Sequence, residues 1–405
     1  MMNDTKMKYK NTSIGIVPTD WEVKSLNKVG EIYSGGTPRT HNPKYWNGEI
    51  HWCTPTDITK NSNKYIFKTE KAISHLGLSS SSAKLLPINS IIVSTRASIG
   101  KVVINKIEMC TNQGFKNIVP FKEIDFEYLY YNILFLEHVF LKKASGSTFQ
   151  ELSKNDFSKI QIPVPKLPEQ KKIAEILSIW DKAIQENNNI IKALEKRNKV
   201  LAFSLLTGKK RLKEFKNFQW TKTKLENVID EYNVKPLSES KLPVFTSSKN
   251  GLMMQSDYYS GSRLIDRENV DYNVLPPNYI TYRSRSDDGL FTFNKNNFTI
   301  KGLISGYYPV FKIKNGNDDF FLYYFNYFKR KLGKYSIGTS QLVLSINALK
   351  QITLKIPASE EQNEIAKILN TANEELQQYK QKLENLKQQK KGLMQQLLTG
   401  KIRTM

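Results

Sequence analysis

Twice along the chain, apolar positions recur in a 4,3 alternation with polar residues between them. In the stretch 167–211 they fall at Ile173, Leu177, Trp180, Ile184, Ile191, Leu194, Leu201 and Leu205. In 359–403 they fall 192 positions further on, at Ile365, Leu369, Ala372, Leu376, Leu383, Leu386, Leu393 and Leu397. The two stretches align without a gap, Gln170 with Gln362, and the Leu-Leu-Thr-Gly-Lys of 205–209 returns at 397–401. Such spacing turns one narrow stripe toward a partner helix, the seam of a coiled coil. Asn187, Asn198 and Lys390 interrupt the stripe, as polar residues that fix register do. Pro168 stands at a first helical position, Ser359-Glu360-Glu361-Gln362 reads as a capping box, and Gly208 and Gly400, each followed by cations, read as helix stops. About 38 helical residues at 1.5 Å each give a rod of about 57 Å, the length of a spacer or scaffold. Two similar halves that pack about a pseudo-twofold axis would make the rods antiparallel, with the attached units pointing opposite ways.

The segments between the rods mix two periodicities. Residues 1–20 read as a polar lead-in, and 21–59 as short strands and loops around Ser34-Gly35-Gly36 and Asn47-Gly48. Leu85 to Ile104 reads as two strands around a polar turn at Ser94–Gly100, Thr111–Phe115 as a loop, and Phe126 to Lys142 as one core helix. Gly146-Ser147-Thr148 and the strand IQIPVP lead into the first rod. The second half repeats this order loosely. Trp220, Leu225 and Val228 answer Trp21, Leu26 and Val29; Leu275 to Arg285 answers Leu86 to Arg96; Ser305-Gly306-Tyr307 answers Gln113-Gly114-Phe115; Gly338-Thr339-Ser340 answers Gly146-Ser147-Thr148; ITLKIP answers IQIPVP. The expected domains are 1–160, a helix at 161–211, 212–352, and a helix at 353–405. Scaffolds that match while their loops differ suit a two-part reader, and drift after a duplication gives the same pattern.

Composition narrows the partner. With 405 residues the chain is long enough for two or more cores, and 61 Lys and Arg against 38 Asp and Glu leave a formal charge of +23, which suits a polyanion. Cys53 and Cys110 form no CxxC pair, and His41, His51, His75 and His138 have no metal-ligand spacing, so no metal is expected. No run of 18 apolar residues and no signal-like start occurs, so a cytoplasmic protein without a membrane span is expected. Catalytic motifs are missing as well: no P-loop, no G-x-G-x-x-G after a strand, no Asn-Pro-Pro-Tyr or Asn-Pro-Pro-Phe. Glu169-Gln170-Lys171 has an E-x-K shape, but it lies in a first helical turn and reads as capping.

Binding chemistry remains. Loops that carry Arg, Lys, Asn, Gln, Ser and Thr beside aromatics supply the groups that reach phosphates and base edges. In the first half these are Thr37, Arg39, Arg96, Ser98, Lys101, Asn112, Gln113 and Lys116; in the second, Lys249, Asn250, Arg283, Arg285, Ser286, Ser305 and Tyr307. Arg96 and Arg285 match across the repeat.

With these repeats in view, the chain resembles the DNA-specificity (S) subunit of type I restriction-modification systems over nearly its whole length. The likeness is strongest at 168–211 and 360–403 and good at Ser34-Gly35-Gly36-Thr37-Pro38 and Trp52 to Ile58; the second half lacks a Gly-Gly-Thr-Pro counterpart. The resemblance implies an α/β fold class: two α/β target-recognition domains in tandem pseudo-twofold repeat, separated by two long antiparallel coiled-coil helices. It also implies a non-catalytic subunit that binds a bipartite asymmetric site in double-stranded DNA. Two modification (methyltransferase) subunits, using S-adenosylmethionine on adenine, and two restriction (ATP-dependent translocase/endonuclease) subunits, using ATP and Mg, would be its partners. Half-sites on one face of B-DNA lie about 34–36 Å apart per helical turn, within reach of such a scaffold. The alternatives are a non-specific basic coiled-coil bridge between nucleic acids and a drifted methyltransferase or nuclease.

Overall fold

The computed structural model describes residues 8–61, 63–96, 98–144, 151–237, 241–258 and 271–404. Two compact units share the chain: residues 1–188 together with 382–405 make the first, and 189–381 the second. Each long helix therefore contributes one part to each unit.

The first unit opens with the hairpin β1 (Tyr9–Thr12) and β2 (Gly15–Pro18), followed by β3 (Glu22–Ser25), β4 (Gly30–Ser34), β5 (Trp46–Cys53), α1 (Pro55–Lys60), β6 (Tyr65–Ile66), β7 (Lys71–Ile73) and α2 (His75–Ser79). Then come β8 (Ile91–Ser94), β9 (Val102–Asn105), β10 (Met109–Thr111), β11 (Phe115–Pro120), α3 (Phe126–Phe135), α4 (Glu137–Ala144), α5 (Lys154–Ser158), β12 (Gln161–Val164) and the long α6 (Leu167–Leu206). Its central sheet has the order β4-β11-β8-β9-β6, with a smaller sheet β10-β5-β7. The unbroken apolar runs of β8 and β9 follow from burial on both faces, since alternate residues point opposite ways. Ile91, Val93, Val102 and Ile104 join Tyr128 and Tyr131 of α3 in one core, while Ile92 and Val103 join Cys53, Met109 and Phe115 in another.

In the second unit the strands are β13 (Thr221–Lys224), β14 (Ile229–Glu231), β15 (Phe245–Ser248), β16 (Gly251–Met254), β17 (Tyr272–Leu275), β18 (Ile280–Tyr282), β19 (Arg285–Ser286), β20 (Phe293–Lys295), β21 (Gly302–Ser305), β22 (Val310–Ile313), β23 (Leu342–Val343) and β24 (Thr353–Ile356). Its helices are α7 (Gln255–Tyr258), α8 (Asp318–Leu332), α9 (Ile346–Lys350) and the long α10 (Ser359–Leu398). The sheet order β14-β22-β18-β20 repeats β4-β11-β8-β9 strand for strand. Asn89 and Asn278 both take positive φ (65° and 66°) at the turn before β8 and β18, a conformation Asn tolerates better than most residues.

Both helices run as the seam pattern predicts. Ile173, Leu177, Ile191, Leu194, Leu205, Ile365, Leu369, Ala372, Leu376 and Leu397 are buried; Trp180, Ile184, Leu201, Leu383, Leu386 and Leu393 are half-buried. Within the first unit Glu169 meets Arg403 and Asp181 meets Lys390; within the second Arg197 meets Glu375 and Arg211 meets Glu361. Partners thus climb one helix as they descend the other, so the pairing is antiparallel in each unit. Asn198 donates to the Ala372 carbonyl at 2.8 Å, using its interruption of the seam to fix register. Gly208 and Gly400 stop the helices with φ of 67° and 69°, and the amides of Lys210 and Ile402 reach back to the carbonyls of Ser204 and Gln396.

The helix starts differ from the capping expectation. Gln362 does not close a box on Ser359; its side chain donates to the Pro357 carbonyl and accepts from the Asn317 amide, and Gln170 likewise donates to Pro165 and accepts from Asp125. Glu169, 1% exposed, accepts from the Trp21 indole at 3.0 Å and receives the Arg403 guanidinium at 2.7 Å. Glu361, 2% exposed, does the same with Trp220 at 3.1 Å and Arg211 at 2.7 Å. So these carboxylates are buried ion-pair partners, and each helix end clasps the start of the other helix.

Two other expectations change. Residues 9–18 of the polar lead-in form a hairpin, closed by Thr12↔Gly15. The helix expected over 126–142 is broken at Leu136, whose amide reaches the carbonyls of Asn132 and Ile133. Gly146-Ser147-Thr148 and residues 1–7 lie outside the described residues.

Candidate nucleic-acid interface

In the first unit three loops converge beyond one end of the strands of the central sheet. The Gly35 and Gly36 amides bond the carbonyls of Phe115 and Thr111, and a Cβ at Gly35 would lie 1.7 Å from the Asn112 carbonyl oxygen. This close approach is why glycine occupies the turn. It brings Thr37 against Gln113, its hydroxyl donating to the amide oxygen. The Trp52 indole donates to the Gly36 carbonyl at 2.9 Å, and Trp46, edge-on to Trp52, donates to the carbonyl of Arg39. The 94–101 turn adds Arg96, whose backbone bridges Glu151, and Ser98, whose hydroxyl meets that of Ser94 at 3.2 Å. Asn112 folds its side chain onto the Gly114 amide at 3.0 Å. Thr37, Arg39, Arg96, Asn112 and Gln113 therefore share one surface. Lys101, exposed, borders instead a cleft of about 550 Å³ that also holds Phe67.

Lys116 is a correction. It is 5% exposed, and its ammonium lies 3.5 Å from a Glu151 carboxylate oxygen. It stands within β11, between two strands, so it is committed to the sheet and does not face a ligand.

The second unit gathers its candidates more tightly. Lys249, Asn250, Arg283, Arg285 and Ser286 line one depression of about 420 Å³. Lys249 pairs with Asp288 at 2.7 Å, and Ser286 donates to the other oxygen of that carboxylate at 2.8 Å. These bonds, Lys249 first, hold the Asp288 carboxyl well below the usual range. The Arg285 guanidinium lies 4.1 Å from the centre of the Tyr307 ring. Ser305 and Tyr307 are the exceptions: Ser305 pairs with Tyr272 in β21, Tyr307 meets Arg285 from the following turn, and neither lines the depression.

The match between Arg96 and Arg285 holds in three dimensions. Leu152 donates to the Thr95 carbonyl as Leu344 donates to that of Ser284, and the Thr95 hydroxyl meets the Gly114 carbonyl as the Ser284 hydroxyl meets that of Tyr307. Tyr307 therefore answers Gly114, one position away from the sequence alignment with Phe115. The difference is physical, since Phe115 is fully buried in a strand while Tyr307 is 63% exposed on a turn. Two contributors escape the sequence reading, Asp288 and Phe67. Ser286-Asp287-Asp288-Gly289 is a turn signal, and Lys64-Tyr65-Ile66-Phe67-Lys68 interleaves aromatics with cations, so both had a trace in the sequence.

Beneath the loops, polar clusters tie α3 and α8 to the long helices. Lys64 reaches Glu127 at 3.1 Å and Ser178 at 2.8 Å, and Tyr131 donates to Asp181, which also holds Lys390. Burial alone would raise the Glu127 carboxyl; the bonds from Tyr65, Lys64 and Ser178 outweigh it and lower it. In the second unit Lys295 pairs with Asp319, which accepts from Asn370 at 2.9 Å, while Tyr323 donates to Asn370 at 2.9 Å. Among the described residues there is no group of three or more His, Cys, Asp or Glu able to hold a metal ion, and no helix long and apolar enough to cross a membrane.

A family model described as "Type I restriction modification DNA specificity domain" matches residues 18–196 and again 208–388. The chain is 40% identical over 192 residues to the specificity subunit of the type I restriction enzyme MjaIX of Methanocaldococcus jannaschii, which covers 46% of this chain and 44% of that one. The alignment thus spans less than half of that relative's length. A second subunit from the same organism, MjaVIII, is 26% identical over 417 residues, 96% of this chain and 94% of that one. The crystal structure of a type I restriction-modification S subunit from M. genitalium has a similar fold, with TM-score 0.56, 16% identity and 98% of each chain covered.

Proposed function

The chain belongs to the family of type I restriction-modification DNA specificity domains and carries that domain twice; from this premise we propose that it is the specificity subunit of such a complex. It reads a bipartite, asymmetric site in double-stranded DNA, one half per unit, and directs adenine methylation and DNA cleavage by partner subunits. Two modification subunits bring S-adenosylmethionine, and two restriction subunits bring ATP and Mg; this chain contributes recognition and no chemistry of its own.

The observation that carries the reading is the equivalence of Arg96 and Arg285. Both are exposed and sit on the same bridge of the same scaffold, yet the loops around them differ, Gly114 on one side and Tyr307 on the other. Phosphate contacts fix a protein on the duplex without reading it; base-edge contacts discriminate. A repeated scaffold with differing loops supplies the same positioning twice and two different readings. The net charge of +23 supplies the attraction to the phosphates.

The test is co-purification with a modification subunit, followed by mapping of methylated adenines in a host genome with and without this chain. One bipartite motif that appears only with the chain is the expected result. Salt-sensitive binding to every sequence, without methylation, would instead make it a basic nucleic-acid bridge.

A further inference from the structure

The two units differ most sharply at the arginine they share. In the second, the Arg285 guanidinium lies over the Tyr307 ring, 4.1 Å from its centre. In the first, the position of Tyr307 is taken by Gly114, where even a Cβ would stand 3.6 Å from the Cβ of Arg96, and among the described residues no aromatic ring lies under the Arg96 guanidinium. Both members of the Arg285–Tyr307 shelf are fixed by one residue. The Ser284 carbonyl accepts from Leu344 at 2.9 Å, which holds Arg285 on its bridge to Val343, and the Ser284 hydroxyl donates to the Tyr307 carbonyl. Ser284 is itself buried.

Charge sharpens the contrast within the depression. Lys249 is neutralised by Asp288, whereas among the described residues neither Arg283 nor Arg285 forms a salt bridge. A guanidinium resting on an aromatic face loses part of its rotational freedom before any ligand arrives, so less is lost on binding. Its outer edge keeps two parallel N–H donors, and in a major groove that fork matches one base edge, the O6 and N7 of guanine. Asn250, exposed, lines the same depression and supplies the neutral donor and acceptor that a neighbouring base needs.

We propose that Arg285, supported on Tyr307, is the guanine-reading residue of the second unit. This rests on the DNA-reading function proposed above. The unit without the shelf reads its half-site by other contacts, Thr37, Asn112 and Gln113 being the polar groups gathered around Arg96.

The test uses the full chain with its modification subunit and reads methylated adenines across host genomic DNA for the wild type and for Arg285→Lys, Arg285→Ala, Tyr307→Ala and Tyr307→Phe. Arg285→Lys keeps the charge but loses the fork. It and Arg285→Ala are expected to relax one guanine position in one half-site, with discrimination there falling about 10- to 100-fold, while the other half-site stays fully selective. Tyr307→Ala should relax the same position less, and Tyr307→Phe, which keeps the ring face, should leave the motif whole. Selectivity at the other half-site shows that each variant is folded and assembled. A full motif with Arg285→Lys overturns the proposal, and so does weaker methylation at all sites with an unchanged motif, the mark of a phosphate contact. If the wild type itself yields no bipartite motif, the underlying function fails and this proposal with it; a complete wild-type motif with relaxation elsewhere overturns this proposal alone.

Discussion

The first unit anchors its long helices with a buried carboxylate, a buried glutamine and an arginine from the far end of the other helix, and the second unit repeats those three, though Arg403 also pairs with Asp20 where Arg211 bonds the Phe215 carbonyl. Glu169, Gln170 and Arg403 with Trp21 correspond to Glu361, Gln362 and Arg211 with Trp220. Farther from the helices the likeness fades. The first unit builds a small sheet β10-β5-β7 with a Trp46–Trp52 pair, where the second has the separate pairs β15-β16 and β17-β21. Repetition therefore lies where the helices are held, and divergence lies where the exposed loops gather. Residues that set the frame cannot vary without breaking an anchor; loop residues carry no such constraint.

Breaking one clasp tests that comparison hardest. Arg403→Ala leaves the Glu169 carboxylate buried without its cation, a change that costs about 3–5 kcal/mol, and Arg211→Ala should cost the second unit as much through Glu361. Thermal unfolding of both variants should show a large loss, with Arg403→Ala also giving up the half-exposed Asp20 pair; a large loss for one and none for the other would end the equivalence of the anchors.

Acid should separate the polar clusters. The Glu127 carboxyl, ordinarily at 4.5, is lowered in the folded state, as is that of Asp319, ordinarily at 3.8. A carboxyl with a lowered folded value stabilises fully above its unfolded value, and the contribution is lost as pH falls through the folded one. Asp318 runs the other way: burial raises its carboxyl, so protonation relieves it. Unfolding of the first unit should therefore lose stability as pH drops below 4.5. Lys64→Met, by removing a cation that Glu127 faces, brings the folded value back toward the unfolded one and should shrink that loss; an unchanged pH profile would show that Lys64 does not hold the carboxylate.

The smallest expected effect concerns two helix caps. Ser153 and Ser345 accept from the amides of Asp156 and Ala348 at 3.0 and 3.1 Å. Replacing either by Ala should cost about 1 kcal/mol, the same in both units, measured by denaturant midpoints.

The long helices, their seam and their glycine stops were legible because each depends on local periodicity and on positive φ at Gly208 and Gly400. The β8–β9 hairpin of the first central sheet was legible as apolar runs. What sequence missed depends on contacts distant in the chain. Glu169 and Glu361 look like first-turn acids, and only the folded chain brings Arg403 and Arg211 to them. The break at Leu136 is hidden because Leu129, Ile133 and Phe140, all buried, keep helical spacing across it. Lys116 reads as a loop cation, yet strand pairing on both sides encloses it. At the candidate interface the gathering of Lys249, Asn250, Arg283, Arg285 and Ser286 was visible as residue types; the Arg285–Tyr307 contact was not, because a one-residue shift in the turn separates Tyr307 from its apparent counterpart.

The central claim, that each unit reads its own half of one DNA site, is tested most directly by exchanging residues 21–160 and 220–350 separately for those of a relative with a different motif. Methylated adenines are then mapped in the host genome. Each exchange should replace one half of the motif and leave the other intact. A single exchange that alters both halves, or neither, would contradict it.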